Sequence, residues 1–372
     1  MVIRYSRALL VAASASALAL AAGSVPARAV GPAGPRSGWH LEAAITVSGR
    51  SVVLYSVAAI SRADAWTIGN AITALDVSTP IVEHWTGLRW QPAAIPARVA
   101  KVFGATQDPM VVGARSATDV WAFDELGHWM RLNGRRWTAG NLPLSRSGAQ
   151  SPVIRDDLVL AHDNVWAFGS GTVLPYAANF GGRHWHVTPM PGTTGITDAS
   201  AVSSRDIWAI NEQDVLHWDG HRWRTFAIGV KLNPSFVLLG SVNAHSDHDV
   251  WIGGAVTNGR LGESEAAAHW NGHSWHVMRL PAAPVSESFE LTSMIPDGGG
   301  GMWAFAVSNA LGGWRMWHYG AGAWHTVPAP VSGQTYFSGL ASNLALAPGS
   351  RLAWAVGAQG AFPGQKGIIL VS

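Results

Sequence analysis

The chain has 372 residues, 48% of them hydrophobic, with 20 tryptophans and no cysteine. A chain of this length buries a large core, and without cysteine that core holds by packing alone, with no disulfide framework and no thiolate metal site. The 25 Lys and Arg against 23 Asp and Glu leave no basic footprint for nucleic acid.

Residues 1–29 read as a secretory signal. Arg4 and Arg7 precede an uncharged run from Ala8 to Ala22, and Ala27-Arg28-Ala29 offers the small residues a signal peptidase accepts. The run is too short for a permanent membrane-spanning helix. Cleavage would remove three arginines and no acid, leaving 22 basic against 23 acidic residues and a formal charge of −1. Residues 30–36 are rich in Gly and Pro and read as a short leader. These features predict an exported protein, extracellular or cell-wall associated, with no stable membrane span.

From residue 37 onward the tryptophans recur. An acid or Asn, an apolar residue, Trp and a small residue appear at Asp64-Ala65-Trp66-Thr67, Asp119-Val120-Trp121-Ala122, Asn164-Val165-Trp166-Ala167, Asp206-Ile207-Trp208-Ala209 and Asp249-Val250-Trp251-Ile252. Trp303-Ala304 and Trp354-Ala355 repeat the Trp without the acid, making seven copies spaced by 55, 45, 42, 43, 52 and 51 residues. A second motif, Gly shortly before another Trp, follows the first six copies and ends on Trp90, Trp137, Trp185, Trp223, Trp275 and Trp324. The seventh copy has none after it, but an orphan stands at the other end, Gly38-Trp39.

This pattern predicts an all-β, seven-bladed β-propeller over residues 37–372, in which residues 37–46 complete the last blade. In blade four the strands are expected at Ala199–Val202, Asp206–Ile210, Val215–Trp218 and Trp223–Ile228, with Asp219-Gly220 turning a hairpin. Trp39, Trp66, Trp121, Trp166, Trp208, Trp251, Trp303 and Trp354 are the structural repeat residues. Alternation along a strand sends each Trp toward one neighbouring blade and the adjacent small residue toward the other. The acids of the first motif sit at turns, where their carboxylates are expected to accept backbone N–H groups.

Asp-Val-Trp-Ala-Phe followed by His-Trp-Asn-Gly-x-x-Trp resembles repeats in proteins exported by actinobacteria, similar in layout to Kelch, galactose-oxidase-like and Asp-box propellers. The resemblance covers nearly all of the chain after the signal. It implies the propeller fold and export, and no particular activity.

Irregular segments within 69–80, 169–175, 254–266, 308–315 and 357–367 fall at b–c or d–a connections, so a ligand site is expected on that face near the central channel. Trp129 and Trp314 break the repeat and are candidate stacking platforms, weighed against simple loop packing. Asp124, Glu125, Glu212, Arg260, Glu263, Glu265 and Arg315 are candidate ligand contacts on the same face. The histidines recur once per blade, which keeps equivalent rings apart, so they read as structural or surface residues rather than a metal site.

No phosphate loop, nucleophile elbow or cofactor motif occurs, and galactose-oxidase chemistry would need a cysteine. The leading expectation is a monomeric, cofactor-free binding or scaffold module for an extracellular glycan or protein. The alternatives are a glycoside hydrolase or lyase, which would show two carboxylates roughly 5 to 10 Å apart in a central pocket, and a purely structural envelope protein.

Overall fold

Seven antiparallel sheets form, because each Trp-marked segment supplies a run of buried apolar residues bounded by tight turns. The computed structural model describes residues 38–103, 110–144, 153–170, 175–192, 194–226, 236–257, 263–281, 289–308, 313–338 and 340–372. The predicted signal and leader and several predicted connections lie outside these residues. The innermost strands, a, are Arg50–Ser61, Met110–Ser116, Val153–Ala161, Ile196–Ser203, Phe236–Ser246, Phe289–Pro296 and Leu344–Leu346. Each contacts the strand a of the next blade, and the first and last also touch, so the ring is closed.

The seventh sheet joins the two ends of the repeat region. Strand His40–Ile45 pairs antiparallel with Lys366–Val371, placing His40 opposite Val371 and Leu41 opposite Leu370. The order is therefore Leu344–Leu346, Ala353–Gln359, Lys366–Val371, His40–Ile45 from the axis outward. The protein is a seven-bladed β-propeller closed by its N-terminal strand. Blade four keeps the expected order, with strands Ile196–Ser203, Asp206–Asn211, Val215–Trp218 and Trp223–Phe226.

The tryptophans lock the seams. The strand-b Trp of one blade meets the strand-d Trp of the next edge to face in the pairs Trp121–Trp185, Trp166–Trp223, Trp251–Trp324, Trp303–Trp39 and Trp354–Trp90, with ring centroids 5.3 to 6.3 Å apart. The small residue after the motif Trp faces the other way. Trp166 shares a cluster with Ala209 of blade four, Trp251 with Ala304 of blade six, and Trp303 with Ala355 of blade seven. Large against small is what lets the twisted sheets nest.

The motif acids do more than cap turns. On strand c the residue opposite the motif Trp is His84, Arg131, Asn179, His217, His269 or His318. His84 donates to Asp64, His217 to Asp206, His269 to Asp249 and His318 to Asp297, each at 2.8 Å. The same four rings lie 4.0 to 4.5 Å from Trp66, Trp208, Trp251 and Trp303. Blade two substitutes Arg131, 3.3 Å from Asp119 and 4.6 Å over Trp121, and blade three an amide pair, Asn179 to Asn164 at 3.0 Å. The expectation that backbone amides are the partners is thus corrected for Asp64, Asp206 and Asp249: a side chain on strand c, able to reach across from above the Trp, is the nearer donor. Blade six, read as lacking its acid, has one in Asp297, displaced by the insertion Gly298-Gly299-Gly300-Gly301. Its Oδ1 also accepts the Gly299 and Gly301 amides at 2.6 and 2.8 Å.

A second repeated device lies at the axis. Strand a is bulged at Tyr55, Arg155, Thr197, Gly240 and Thr292, immediately before Ser56, Asp156, Asp198, Ser241 and Ser293. The bulge sharpens the local twist and aims the following side chain at the next blade. Ser56 accepts Val112 N at 3.1 Å, Asp156 accepts Ala199 N at 2.8 Å, Asp198 accepts Val242 N at 2.6 Å, and Ser241 accepts Met294 N at 2.9 Å. Strand b must come close to the bulged strand: a Cβ at Gly69 would stand 2.0 Å from Val53 O, and one at Gly254 2.0 Å from Leu238 O.

Candidate functional site

The strands a enclose a cavity of about 560 Å³ along the axis. Its lining comes from the half of each strand nearer the a–b turns, including Ala58, Ala59, Ala114, Leu158, Leu160, Ala199, Ala201, Ala244 and Leu346, with Pro296 and Pro348 toward the turns. Among the described residues no aromatic side chain lines it. This cavity therefore lies toward the short-turn face, whereas the sequence reading placed a ligand site on the long-loop face.

Three buried carboxyls, Asp156, Asp157 and Asp198, also line the cavity. Asp198 Oδ2 accepts Ser241 Oγ at 3.0 Å as well as Val242 N, its Oδ1 accepts Ala199 N at 2.8 Å, and Asp156 hydrogen-bonds to Asp198. Burial pushes Asp156 up to about 7 against the lowering effect of its amide bonds. Burial and then the charge of Asp156 hold both Asp157 and Asp198 well above the usual carboxylate range. Two carboxyls that hydrogen-bond to each other share a proton and leave no room between them for a glycosidic oxygen and a water.

At the opposite end of the strands a, two of the seven candidate charged residues, Glu125 and Glu212, lie near Arg155 and Glu290, which the sequence reading did not name. Arg155 lies 3.4 Å from Glu125. Burial, then the neighbouring Glu212, raises Glu290, and Arg155 opposes them. Glu125 and Glu212 also serve the backbone, their carbonyls accepting Ile154 N at 3.0 Å and Leu239 N at 2.9 Å. Asp124 is fully buried and closes a turn onto His128, accepting its amide at 2.9 Å and its ring nitrogen at 2.7 Å. Glu265 is buried between blades five and six; burial raises its carboxyl and the charge of Arg315 opposes this. The Arg315 guanidinium sits 4.2 Å from the Phe289 ring. Arg260 and the side chain of Glu263 lie outside the described residues; Glu263 opens strand c of blade five opposite Thr257.

Trp129 and Trp314 are packed rather than presented. Trp129 lies 5.4 Å from Trp121 and covers Gly140, where a Cβ would stand 2.5 Å from its ring. Trp314 stacks between Phe305 and Phe337 at 5.5 and 5.0 Å, and its Nε1 donates to Thr335 at 2.5 Å. Loop packing accounts for both.

A smaller cavity of about 430 Å³ opens at the seam of blades five and six, beside His245, Asp249, His269 and the glycine turn. Asp249 there accepts His269 on Oδ1 and His245 on Oδ2, the latter at 3.2 Å. Of the four inserted glycines, Gly298, Gly300 and Gly301 line it.

Sequence reasoning missed Asp156, Asp157 and Asp198, which sit inside an apolar strand rather than in a loop. A signal was present. Ten residues ahead of Trp66, Trp166, Trp208, Trp251 and Trp303 stand Ser56, Asp156, Asp198, Ser241 and Ser293, all polar.

No protein-family model matches the chain. No curated protein matches it. Solved structures of the same fold do. One described as YCF48 bound to D1 peptide is 14% identical with a TM-score of 0.57, covering 91% of this chain and 98% of the other. YCF48 from Cyanidioschyzon merolae is 13% identical with a TM-score of 0.56, covering 90% and 98%. The Cps50 (Swd1) β-propeller domain of Myceliophteria thermophila is 8% identical with a TM-score of 0.54, covering 88% and 98%. At these identities the likeness concerns the fold.

Proposed function

We propose that this chain is an exported binding module whose central channel receives a segment of a partner protein. The observation that carries the reading is the lining of the channel: small aliphatic side chains around a cavity of about 560 Å³. Apolar walls with a few convergent polar groups are the usual make-up of a binding cavity. Sugars are commonly held on aromatic faces, and among the described residues this lining has none, which favours a peptide over a glycan. Asp156 and Asp198 are engaged in bonds between blades, and that weighs against a two-carboxylate hydrolase. A propeller of similar architecture is described as bound to a peptide, so the fold has an example of this use.

The test is a peptide-display selection on the purified protein run beside a glycan array. The expected result is enriched peptides whose binding is lost in Ala201→Trp, which fills the cavity, and kept in Arg315→Ala at the far face. Peptides that bind Ala201→Trp equally well would overturn the channel assignment. Cleavage of a polysaccharide that Asp198→Asn abolishes would replace it with the hydrolase reading. Export is tested separately, by N-terminal sequencing of the mature protein, which should begin near Val30.

A further inference from the structure

One acid is buried where the repeat calls for an apolar side chain. Opposite the residue after the motif Trp, strand c carries Met130, Ala178, Leu216, Ala268, Trp317 and Leu370 in blades two to seven, all of them buried. In blade one the same place holds Glu83, 7% exposed.

Alternation along the strand says what it faces. Ile81 and Trp85, two residues to either side, share the face of Glu83. Both pack in the cluster that holds Trp354, Val356, Ile369 and Val371 of blade seven with Ala43 and Ile45 of the closing strand. The place also looks onto the end of the preceding blade's outer strand. In blade six Trp317 donates its Nε1 from there to Pro281 O at 3.3 Å, just past the outer strand Trp275–Arg279 of blade five. For blade one the preceding outer strand is His40–Ile45, which closes the ring. Glu83 therefore stands in the closure seam.

The seam is not arranged to receive a charge. Thr67, directly opposite Glu83, donates its hydroxyl to Ser56 O at 2.8 Å. Ala65, Gly69, Trp90 and Pro92 share the face in blade one, and the blade-seven residues of the cluster are all apolar. His84 points to the other face, onto Asp64 and Trp66. Lys366 precedes Gly367, the residue that faces Val52 and Leu54 of blade one, so it alternates away from the seam. On the closing strand His40 and Glu42 lie 3.9 Å from each other, each 31% exposed. Burial, the one influence on the Glu83 carboxyl, pushes it up to about 7.

We propose that Glu83 is a proton-controlled latch on ring closure: protonated, it lets strand His40–Ile45 seat against blade one, and ionised, it loosens that strand so that it opens locally. Opening admits water to the carboxyl and returns it to the ordinary 4.5. Between that value and about 7 the closed seam binds more protons than the open one, so opening is favoured as pH rises through this window and levels off above it.

The test is hydrogen–deuterium exchange of the full chain at pH 5 and pH 8, beside Glu83→Gln, which stays neutral and cancels the chemical pH dependence of exchange. From pH 5 to 8 the opening of His40–Ile45 should grow on the order of 50-fold more in the unsubstituted chain than in the variant. Trp223–Phe226, the outer strand of blade four, should show no such excess. Glu83→Met, which carries the residue of blade two, should behave as Glu83→Gln does. An equal pH response of His40–Ile45 in the unsubstituted chain and the variants would overturn the proposal, and so would an excess shared by Trp223–Phe226. A response removed by His40→Asn and kept in Glu83→Gln would assign the sensor to the closing strand itself and overturn it too. Loss of the cooperative melt at pH 5 in both Glu83 variants would also count against it, because a neutral side chain would then fail to seat the strand.

Discussion

His318 donates to Asp297 at 2.8 Å while its ring rests 4.3 Å from Trp303, although a run of four glycines separates the acid from that tryptophan. The same three-way contact holds Asp64, His84 and Trp66 in blade one and Asp206, His217 and Trp208 in blade four. It ties the a–b turn to strand c across the motif tryptophan, which fixes the indole against the next blade.

His217→Ala should therefore destabilise the protein by about 1 to 2 kcal/mol, the size of a partly buried hydrogen bond to a charged group. The double substitution Asp206→Asn with His217→Asn transplants the amide pair of blade three. It should be more stable than either single variant. Denaturant titration of the four proteins checks this; additive losses would show that the pair does not act as a unit.

Asp297 behaves oppositely to the channel acids. Burial raises it, but the His318 ring and the Gly299 and Gly301 amides outweigh burial and leave it below the usual range. Its contribution to stability is present above about pH 4 and lost as the pH falls below that. Asp297→Asn should flatten the acid limb of the melting-temperature profile between pH 5 and 3.

For the channel acids the sign reverses. In the folded chain Asp156 holds its proton up to about 7, while in the unfolded chain it releases it near the ordinary 3.8. Between those values the folded state binds more protons, so stability falls as pH rises. Asp157→Val, the residue that blades one, two and five carry at this place, should stabilise the protein at pH 8 by on the order of a few kcal/mol. It should also reduce the downward slope between pH 4 and 7. Melting curves across that range decide it.

Ring closure predicts a large effect at a remote residue. Trp39 is buried and meets Trp303 edge to face at 5.6 Å. Trp39→Ala should cost about 3 to 5 kcal/mol. Removing residues 38–46 should leave strand Lys366–Val371 without its outer partner and abolish the cooperative melt.

The architecture was legible because it is written in large residues at a fixed period. Trp39 and Trp354, at opposite ends, are each half of one blade, and counting motifs revealed this. The motif acids were visible but their partners were not, since His84 or His217 becomes a neighbour of its acid only when strand c folds back over strand b. Asp297 was hidden by inserted glycines that broke its spacing to Trp303. The channel acids escaped because they lie in a strand and not in a loop, yet Val-Ile-Arg-Asp-Asp-Leu-Val-Leu at 153–160 puts Asp157 in a place where the other blades carry apolar residues such as Val57, Val112 and Val242. Trp129 and Trp314 stand outside the repeat and pack on Trp121 and Phe305: a tryptophan outside the repeat marks a packing need as readily as a ligand.

The central claim is that the axial cavity, and not the long-loop rim, receives the partner. A crystal structure of the protein with a display-selected peptide tests it most directly. The account predicts peptide density between Ala58, Leu160 and Ala201. A peptide bound only across the rim near Glu125 and Glu212, with the channel unchanged, would contradict it.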